Sequence, residues 1–446
     1  MNFHKNFIKI YKMSEIFSNL LEKFNSNDSY SDDLHSNDSD SNTYQDILEI
    51  HPNQTTENFH ITWNPQTIID DSNYKKFNEP LYNTLSQFLK QYDFLTNHNL
   101  QHLDPLDSVS SLKQNTIVVS LSGGVDSMVL ISILILIKTI IVFEEKYKFN
   151  FSIHAIHINY GNRPETDIEE EFLTKWCKNN MIEITIYRMN DYKRDNQIRS
   201  EYEEQTKRIR FELYNQIIQE NNAIGIFLAH HKNDEQENTF TNVLNGRSLL
   251  DLSVMKEQTT KNGINIFRPF IHNNKSDIYN FAHKYSIPYF KDTTPDWSNR
   301  GKLRRQIFPL LNDVYSEKYI HNLDKIAKES TELNQIVMSC IVKPFIKNNV
   351  EITYIQNIYN NGNISPTNNK PIESIKIKIS DYYTLPITFW SYVLMNIFHK
   401  LNISMITNKS LNVLVYKINT QYNGKLPICK NMMCHLNSHF LLINFN

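Results

Sequence analysis

A short glycine turn between a strand and a helix constrains this chain more than any other feature of its sequence. Residues 116–121, Thr-Ile-Val-Val-Ser-Leu, form a largely apolar run that predicts a buried parallel strand. Residues 128–131, Met-Val-Leu-Ile, open a predicted helix. The turn between them consists of Ser122, Gly123, Gly124, Val125, Asp126 and Ser127.

This arrangement predicts a loop that binds phosphate. Glycines allow positive φ and a close approach of the backbone to a ligand. The N–H groups of the turn and of the following helix then face an anion, and Ser122 and Ser127 add hydroxyl donors. Asp126 is a poor anion ligand by itself, so its expected role is to hold a Mg²⁺ ion that bridges phosphate oxygens. The strand and helix on either side disfavour the alternative of an ordinary Gly-Gly turn.

Strand and helix patterns alternate after this loop. The predicted strands are 151–158, 182–187 and 224–229, and the predicted helices are 165–180, 201–219 and 234–244. The alternation predicts an α/β fold with a doubly wound parallel sheet, whose ligands bind at the carboxyl ends of the strands. Ser122, His157 and His230 fall at those ends.

Composition divides the 446 residues into three predicted parts. Residues 1–79 are an acidic, low-complexity tail, which we expect to be largely disordered, above all at 26–43. Residues 1–80 carry 6 Lys against 13 Asp and Glu, whereas the remainder carries 40 basic against 35 acidic residues. Order is expected to begin near Pro80, in an α/β domain at 80–315. Residues 316–446 predict a smaller region, first helical and then α+β.

Sparse cysteines and short apolar runs exclude several classes of protein. The chain has four cysteines and no Cys-x-x-Cys pair, which disfavours a disulfide framework or a zinc ribbon and favours the cytoplasm. The longest apolar run, 128–143, is interrupted by Lys138 and is too short to span a bilayer. Residues 1–21 are weakly amphipathic without arginine, so a mitochondrial or other organellar location is the alternative.

Polar clusters follow the loop at three further places. Residues 155–163 read Ala-Ile-His-Ile-Asn-Tyr-Gly-Asn-Arg, and 229–238 read Ala-His-His-Lys-Asn-Asp-Glu-Gln-Glu-Asn. A basic run, Arg300, Lys302, Arg304 and Arg305, follows within residues 292–309. Taken singly, each has a plain structural interpretation, such as histidines of the core, or acidic and basic residues on solvated helix faces.

Taken together, the clusters point to a known family. The loop resembles the PP-loop of N-type ATP pyrophosphatases, and no Gly-Lys-Ser/Thr of a Walker loop follows it. With the clusters in this order, residues 80–311 resemble the tRNA(Ile)-lysidine synthetase family. Beyond the loop, the matching positions are His157, Gly161, Arg163, Glu203, Lys207, Arg210, Phe211, His230, His231, Asp234, Glu237, Arg268, Pro269, Phe270, Asp292, Ser298, Asn299, Arg300 and Arg304.

The chain departs from the family pattern at several of its own positions. The departures are Tyr160 for His, Asn162 for Leu, Lys207 for Arg, Asn233 for Asp, Glu235 for Gln and Gly301 for Asn. Loss of a carboxylate at 233 is expected to weaken a contact to a metal or to a lysine ammonium group. Glu235 is the candidate for a replacement charge.

The resemblance implies a two-step reaction with ATP and Mg²⁺ as cofactors and with tRNA and free L-lysine as partners. ATP would adenylate O2 of a cytidine at the wobble position of an isoleucine tRNA, and the lysine ε-amine would then attack C2 and expel AMP. The implied catalytic residues are Asp126, Ser127, His157, Lys207 and Arg210, with Asp126 also the metal ligand. The implied substrate-binding residues are Arg163, His230, His231, Asp234, Glu237, Arg300 and Arg304.

Three alternative functions stay open at this point. Whether the protein forms a homodimer is also open. A tRNA 2-thiolase shares the loop, but its chemistry generally uses paired or clustered cysteines, which this chain lacks. Amide ligation of the NAD- or GMP-synthetase kind does not suit the paired histidines. A degenerate protein that binds tRNA or nucleotide without turnover is favoured by Tyr160 and Asn233. The faint similarity of 386–446 to the family's C-terminal domains implies contact with tRNA there.

Overall fold

A computed structural model describes residues 48–49, 63–69, 74–95, 115–144, 151–161, 165–189, 199–291, 294, 298–355, 372–429 and 432–445. The tail segment 26–43, expected to be disordered, lies outside these residues, as do Asn162, Arg163 and Asp292.

The predicted α/β domain is present, with the predicted alternation of elements. Its strands are β1 (Leu48–Glu49), β2 (Asn115–Ser120), β3 (Phe151–Asn159), β4 (Glu183–Arg188), β5 (Ile226–Phe227), β6 (Gln258–Lys261), β7 (Ile264–Phe267) and β8 (Tyr289–Phe290). Its helices are α1 (Pro80–Gln91), α2 (Val125–Glu144), α3 (Glu165–Asn179), α4 (Arg199–Glu220), α5 (Lys232–Leu244), α6 (Lys275–Lys284), α7 (Asn299–Lys302) and α8 (Phe308–Tyr315).

Six of these strands form one sheet in the order β4-β3-β2-β5-β7-β6. Neighbours from β4 to β7 are parallel, as predicted, whereas the edge strand β6 runs antiparallel to β7. The predicted doubly wound parallel sheet is thus confirmed, and the β6–β7 hairpin adds one antiparallel edge strand to it. The two-residue turn of this hairpin, Asn262-Gly263, has φ of 52° and 77°, the left-handed backbone for which Asn-Gly is the usual sequence signal.

Helices cover both faces of this sheet, which makes it doubly wound. On one face, α2 is buried nearly all round, between the sheet and helices α1 and α6. On the other face, α4 buries Leu213, Tyr214 and Ile217 against Val118 and Ile156. None of the described helices is long and apolar enough to cross a membrane.

Ordered packing begins earlier in the chain than predicted. Trp63 and Ile69 belong to the core of the α/β domain, although Pro80 was the expected start. The Trp63 ring stacks on Trp176 at 6.0 Å between centroids, and its Nε1 donates a hydrogen bond to the Tyr285 carbonyl at 3.1 Å. Within the described residues, Trp63 and Ile69 therefore attach segment 63–69 to the domain.

The C-terminal region has its own core, as expected for a smaller α+β region. Its elements are α9 (Lys318–Val337), α10 (Lys343–Asn349), β9 (Val350–Tyr354), β10 (Ile372–Lys378), α11 (Ile387–Lys400), α12 (Asn408–Asn419), β11 (Gly424–Cys429), β12 (Met432–Leu436) and β13 (Phe440–Phe445). The strands form an antiparallel sheet in the order β11-β12-β13-β10-β9. Trp390, Val393 and Leu414 are buried in its core, and α9 packs on α5. The boundary at 315 stays a prediction.

Two turns of π-helix interrupt the helices, and each comes just before a proline. The first π turn, Leu303–Ile307, lies between α7 and α8 and ends directly before Phe308-Pro309. Residues Met338–Val342 precede Lys343-Pro344 in the same way. Proline has no N–H and its ring clashes with the carbonyl four residues earlier. The wider π turn relieves this clash. The π turn Leu303–Ile307 also carries Arg304.

A glycine before β5 allows the close approach of β7. A Cβ atom on Gly225 would collide with the Asn265 carbonyl oxygen and lie 2.9 Å from Phe267 Cε2. We expect Gly225→Ala to lower the free energy of unfolding by about 1–3 kcal/mol through overpacking, as measured by urea denaturation. The exposed neighbour Ile224 provides the control, since Ile224→Ala should stay within about 0.5 kcal/mol. Equal effects of the two variants would contradict this account.

Candidate active site

The glycine loop adopts the conformation that its sequence predicts. Gly123 has φ of +84°, and a Cβ atom there would lie 3.0 Å from the Phe290 ring. The Phe290 N–H donates a hydrogen bond of 3.0 Å to the Gly123 carbonyl, so β8 supports the loop. Helix α2 begins at Val125, inside the loop and three residues earlier than predicted. Its first N–H groups therefore belong to the loop itself.

The two loop serines differ in their surroundings. Ser127 is 4% exposed, and its hydroxyl donates to the Gly124 carbonyl at 3.0 Å and accepts from the Ser122 N–H at 3.1 Å. Ser122 is exposed, and its Oγ lies 3.1 Å from Ser127 Oγ. Ser127 therefore fixes the loop shape, and Ser122 is the hydroxyl that faces solvent.

Three helix N-termini converge at Asp126. Asp126 lies in the first turn of α2, and its Oδ1 is 3.5 Å from Nε2 of His231, the N-cap residue of α5. Lys275, the first residue of α6, places its Nζ 2.6 and 2.7 Å from the two Asp126 oxygens. Converging helix dipoles favour the binding of anions.

Lys275 is a functional candidate that the sequence reasoning missed. Arg268-Pro269-Phe270 and the capping residues Asn274 and Asp277 together mark the start of a helix after a strand. That signal predicts the N-terminus of α6. It does not predict that the first side chain of α6 reaches Asp126, 149 residues earlier in the chain.

Asp126 fits a shared Mg²⁺ site rather than a cage made by protein alone. Among the described residues, no group of three or more His, Cys, Asp and Glu side chains is arranged to hold a metal ion. Mg²⁺ commonly binds one or two carboxylates and takes its remaining ligands from water and substrate phosphates. A single carboxylate beside a phosphate loop suits that pattern.

Both paired histidines favour the neutral form. Burial lowers the pKa of His230 to about 4, and Arg268 adds to this effect while donating a hydrogen bond to His230 Nδ1 at 3.2 Å. The proton of the neutral ring then lies on Nε2. His231 is 1% exposed, and burial lowers its pKa although Asp234 and Asp126 oppose the shift. Neither ring is therefore a cation at neutral pH.

Four charged side chains form a cluster beside the histidines. Glu237 accepts a hydrogen bond of 2.7 Å from Arg300 Nε on one oxygen and one of 2.5 Å from Arg304 Nε on the other. Asp234 accepts from Arg300 and, at 3.1 Å, from Arg304. The sequence reasoning assigned the carboxylates to lysine and the arginines to tRNA. The structure brings all four together as ion pairs, and those binding roles stay predictions.

The arginines keep Asp234 charged. Burial by itself would raise the pKa of the Asp234 carboxyl group, but the charge of Arg300, with the hydrogen bond from the His231 backbone, outweighs burial and lowers it. The Asp234 side chain also accepts the His231 N–H at 3.1 Å, which caps α5. The carboxylate therefore holds the start of α5 and the two arginines at once.

His157 contacts the backbone directly before the glycine loop. It lies inside β3, is 3% exposed, and its Nδ1 is 2.9 Å from the Leu121 carbonyl at the start of the loop. This contact favours a positioning role for His157. Its catalytic role stays a prediction.

Arg210 and Lys207 belong to a basic surface next to the site. Burial works to lower the pKa of Arg210, but the phenols of Tyr160 and Tyr214 outweigh it, and a hydrogen bond joins Arg210 to Tyr160. On the β6–β7 hairpin, burial and the nearby Lys207 lower the pKa of Lys261 to about 8. Tyr160, a departure from the family pattern, is therefore a partner of Arg210.

The departures at 233 and 235 also have structural roles. Asn233 Oδ1 accepts the backbone N–H of Lys275 at 3.0 Å, so this side chain fixes the start of α6. Glu235 Oε1 accepts the Ser253 hydroxyl at 2.7 Å, which engages Glu235 outside the charged cluster. The contact with Ser253 accounts for Glu235 structurally, and its role as a replacement charge stays a prediction.

A cavity of about 270 Å³ opens beside the charged cluster. Its polar lining consists of His231, Asn233, Gln236, Glu237, Lys275 and Arg304. Its apolar and aromatic lining consists of Tyr279, Phe308, Tyr319, Ile320 and Leu323. The cavity thus places two cations, Lys275 and Arg304, and one carboxylate, Glu237, beside aromatic walls, which suits a small molecule that has charged groups and an alkyl chain.

The charged cluster should make stability depend on pH through Asp234. Because its folded-state pKa is lowered, its stabilisation is present above the unfolded pKa of about 4 and is lost as the pH falls further. We expect Asp234→Asn to cost about 1–3 kcal/mol at pH 7 and less at pH 3.5, as measured by urea denaturation. Glu235→Gln, on the same helix, is the control. A cost independent of pH would contradict this assignment.

Comparisons with known proteins agree with this geometry. A family model described as a PP-loop domain matches residues 95–311. The tRNA(Ile)-lysidine synthase of Chlamydia caviae is 31% identical over 237 residues, which cover 52% of this chain and 68% of that protein. The corresponding protein of Chlamydia abortus is 31% identical over 257 residues, covering 56% and 74%. The chain therefore belongs to the tRNA(Ile)-lysidine synthase family of PP-loop proteins.

Proposed function

We propose that this chain is an ATP-dependent ligase that joins L-lysine to C2 of a tRNA cytidine, at the wobble position of an isoleucine tRNA, to form lysidine. Its family membership supports the modification of tRNA by a PP-loop enzyme. The observation that carries the proposal is the continuity of the site. Asp126 of the loop lies 3.5 Å from His231, and His231 lies 3.5 Å from Asp234 in the charged cluster.

The first step would take place at the glycine loop. Its N–H groups and Ser122 would hold the phosphates, and Asp126 would hold Mg²⁺, which supplies charge neutralisation when bound. The cytidine O2 would attack the α-phosphorus, and pyrophosphate would leave. Arg210 is a cation held near the loop, because it is hydrogen-bonded to Tyr160 and lies close to Tyr214, whose hydroxyl is hydrogen-bonded to Ser120, the last residue of β2. Such a cation would stabilise charge that develops on the leaving phosphates.

The second step requires a lysine whose ε-amine faces the activated cytidine. The cavity suits it, since Tyr279, Phe308 and Tyr319 can cover the alkyl chain and Glu237 can attract an ammonium group. The ammonium group would release one proton to water, and the neutral amine would attack C2. AMP would leave with the electrons of the C2–O bond, and the nitrogen bonded to C2 would release a second proton to water. Asp234 and Glu237 are already neutralised by two arginines, so an incoming ammonium group would share or replace a guanidinium.

Recognition of tRNA would use the basic residues around the cluster. Lys302 and Arg305 are exposed on the same helical run as Arg300 and Arg304, and Lys207 and Lys261 form a second basic surface. These cations would contact phosphates, while the target base is read after leaving its stack. The tRNA contacts of the C-terminal region, the homodimer and the cytoplasmic location stay predictions.

The reaction can be tested directly with purified protein, ATP, Mg²⁺, labelled lysine and an isoleucine tRNA with a CAU anticodon. We expect mass spectrometry of the digested RNA to show a cytidine that carries lysine. Asp126→Asn and Ser127→Ala should reduce the rate at least about a hundredfold, because both disturb the phosphate loop. The matched control is Asp313→Asn, which removes an exposed carboxylate on α8.

Each other outcome identifies a different function. If pyrophosphate release depends on tRNA but no lysine adduct forms, the protein adenylates tRNA and does not use lysine. This outcome would favour 2-thiolation. If neither product forms with any of several tRNAs, the protein is a non-catalytic binder of tRNA or nucleotide.

The role of Glu237 can be separated from nucleotide chemistry. We expect Glu237→Gln to raise KM for lysine about tenfold or more while the tRNA-dependent exchange of pyrophosphate into ATP stays within about twofold. Glu235→Gln should change neither quantity. An equal loss of exchange and ligation in Glu237→Gln would place this carboxylate in the first step instead.

A further inference from the structure

The side chain of Lys275 covers Asp126, the residue of the glycine loop that would hold Mg²⁺. Its ammonium group lies 2.7 Å from Asp126 Oδ1 and 2.6 Å from Oδ2, so both carboxylate oxygens carry a cation. A divalent ion cannot reach Asp126 directly while the ammonium group holds this position, since the two cations repel each other. Lys275 thus stands where the proposed Mg²⁺ would bind.

The position of Lys275 is fixed by its backbone rather than by its ammonium group. Asn233 Oδ1 accepts the Lys275 N–H at 3.0 Å, and the Lys232 N–H donates to the Asn273 carbonyl at 2.9 Å. These two bonds join the N-termini of α5 and α6. The Lys275 side chain is 25% exposed, and its Nζ lies 5.1 Å from the centre of the Tyr279 ring. The backbone of Lys275 is therefore fixed by α5, whereas its side chain is fixed by Asp126 and Tyr279.

Its location at the first position of α6 also favours a change of partner. A cation at a helix N-terminus is repelled by the helix dipole, so the Lys275 ammonium group needs a nearby anion, which is Asp126 here. When ATP brings phosphates to the three converging N-termini, a second anion becomes available within reach of a flexible lysine. Lysine carries three donors on a mobile stem and binds phosphate as a point charge.

We propose that Lys275 is a positioning residue that occupies Asp126 in the free protein and transfers to the ATP phosphates when Mg²⁺ takes Asp126. This inference rests on the proposed function only in assigning ATP and Mg²⁺ to the loop. The proposal predicts opposite effects on metal binding and on nucleotide binding when the Lys275 ammonium group is removed. Removal of the ammonium group exposes Asp126 to a metal ion, and the same change removes a cation from the nucleotide.

Metal binding to the nucleotide-free protein tests the first consequence, with Mn²⁺ as the probe and calorimetry or paramagnetic resonance as the measurement. We expect Lys275→Met to bind Mn²⁺ at least about tenfold more tightly than the unchanged protein. Asp126→Asn and the double variant should show no such binding. The matched control is Lys284→Met on the same helix, whose ammonium group pairs with Glu79 at 2.5 Å and should leave Mn²⁺ affinity unchanged.

Nucleotide binding tests the second consequence, with a non-hydrolysable ATP analogue and Mg²⁺. We expect Lys275→Met to weaken binding of the analogue about tenfold, and Lys284→Met to leave it unchanged. Unchanged Mn²⁺ affinity in Lys275→Met, or unchanged or tighter binding of the analogue, would overturn the proposal, provided that circular dichroism shows the variant folded. Neither assay contains tRNA or lysine, so a failure of lysidine formation leaves both results interpretable.

Discussion

The neutralisation of three gathered carboxylates is the constraint on which the site depends. His231 connects Asp126 to Asp234, and Arg300 connects Asp234 to Glu237. In the described part of the chain the three carboxylates face an equal number of cations, Lys275, Arg300 and Arg304. Because burial penalises an unpaired charge strongly, the elements that carry these cations must dock where they do. The histidines between them can then stay neutral.

The fold satisfies this constraint through the starts and irregularities of its helices. Asp234 caps α5, and Asn233 and Asn273 join α5 to α6, which brings Lys275 to the loop. Arg304 lies in the π turn before Pro309, four residues after Arg300, and both guanidinium groups reach the Glu237 carboxylate. Helix starts and this helical run therefore carry the charged groups that meet in the site.

Two departures from the family pattern, Asn233 and Tyr160, have structural roles in this arrangement. Asn233 supplies the acceptor that fixes Lys275, a role that requires an oxygen but no charge. Tyr160 places a phenol oxygen against Arg210 and so restrains a cation beside the loop. These contacts weaken the case for a degenerate protein that was based on the two substitutions, because both side chains are integrated in the site.

The sequence alone determined the features that depend on local pattern. The apolar run, the glycine pair and the serines of 122–127 specify a strand, a positive φ and a helix start, and alternating periodicity specifies a parallel sheet. The structure confirmed these features and the α+β character of the C-terminal region. The β6–β7 hairpin was also locally encoded by Asn262-Gly263, and the sequence reasoning did not use that signal.

Only the tertiary structure decided which charges meet. Lys275 pairs with Asp126 across 149 residues, and Arg304 pairs with Glu237 across 67. Motif order indicated that these segments share a site, but it assigned the arginines to tRNA and overlooked Lys275. The attachment of Trp63 to Trp176 was equally invisible in a polar tail. Secondary structure follows from neighbours in sequence, whereas the partner of a charged side chain depends on where distant helices begin once the core has packed.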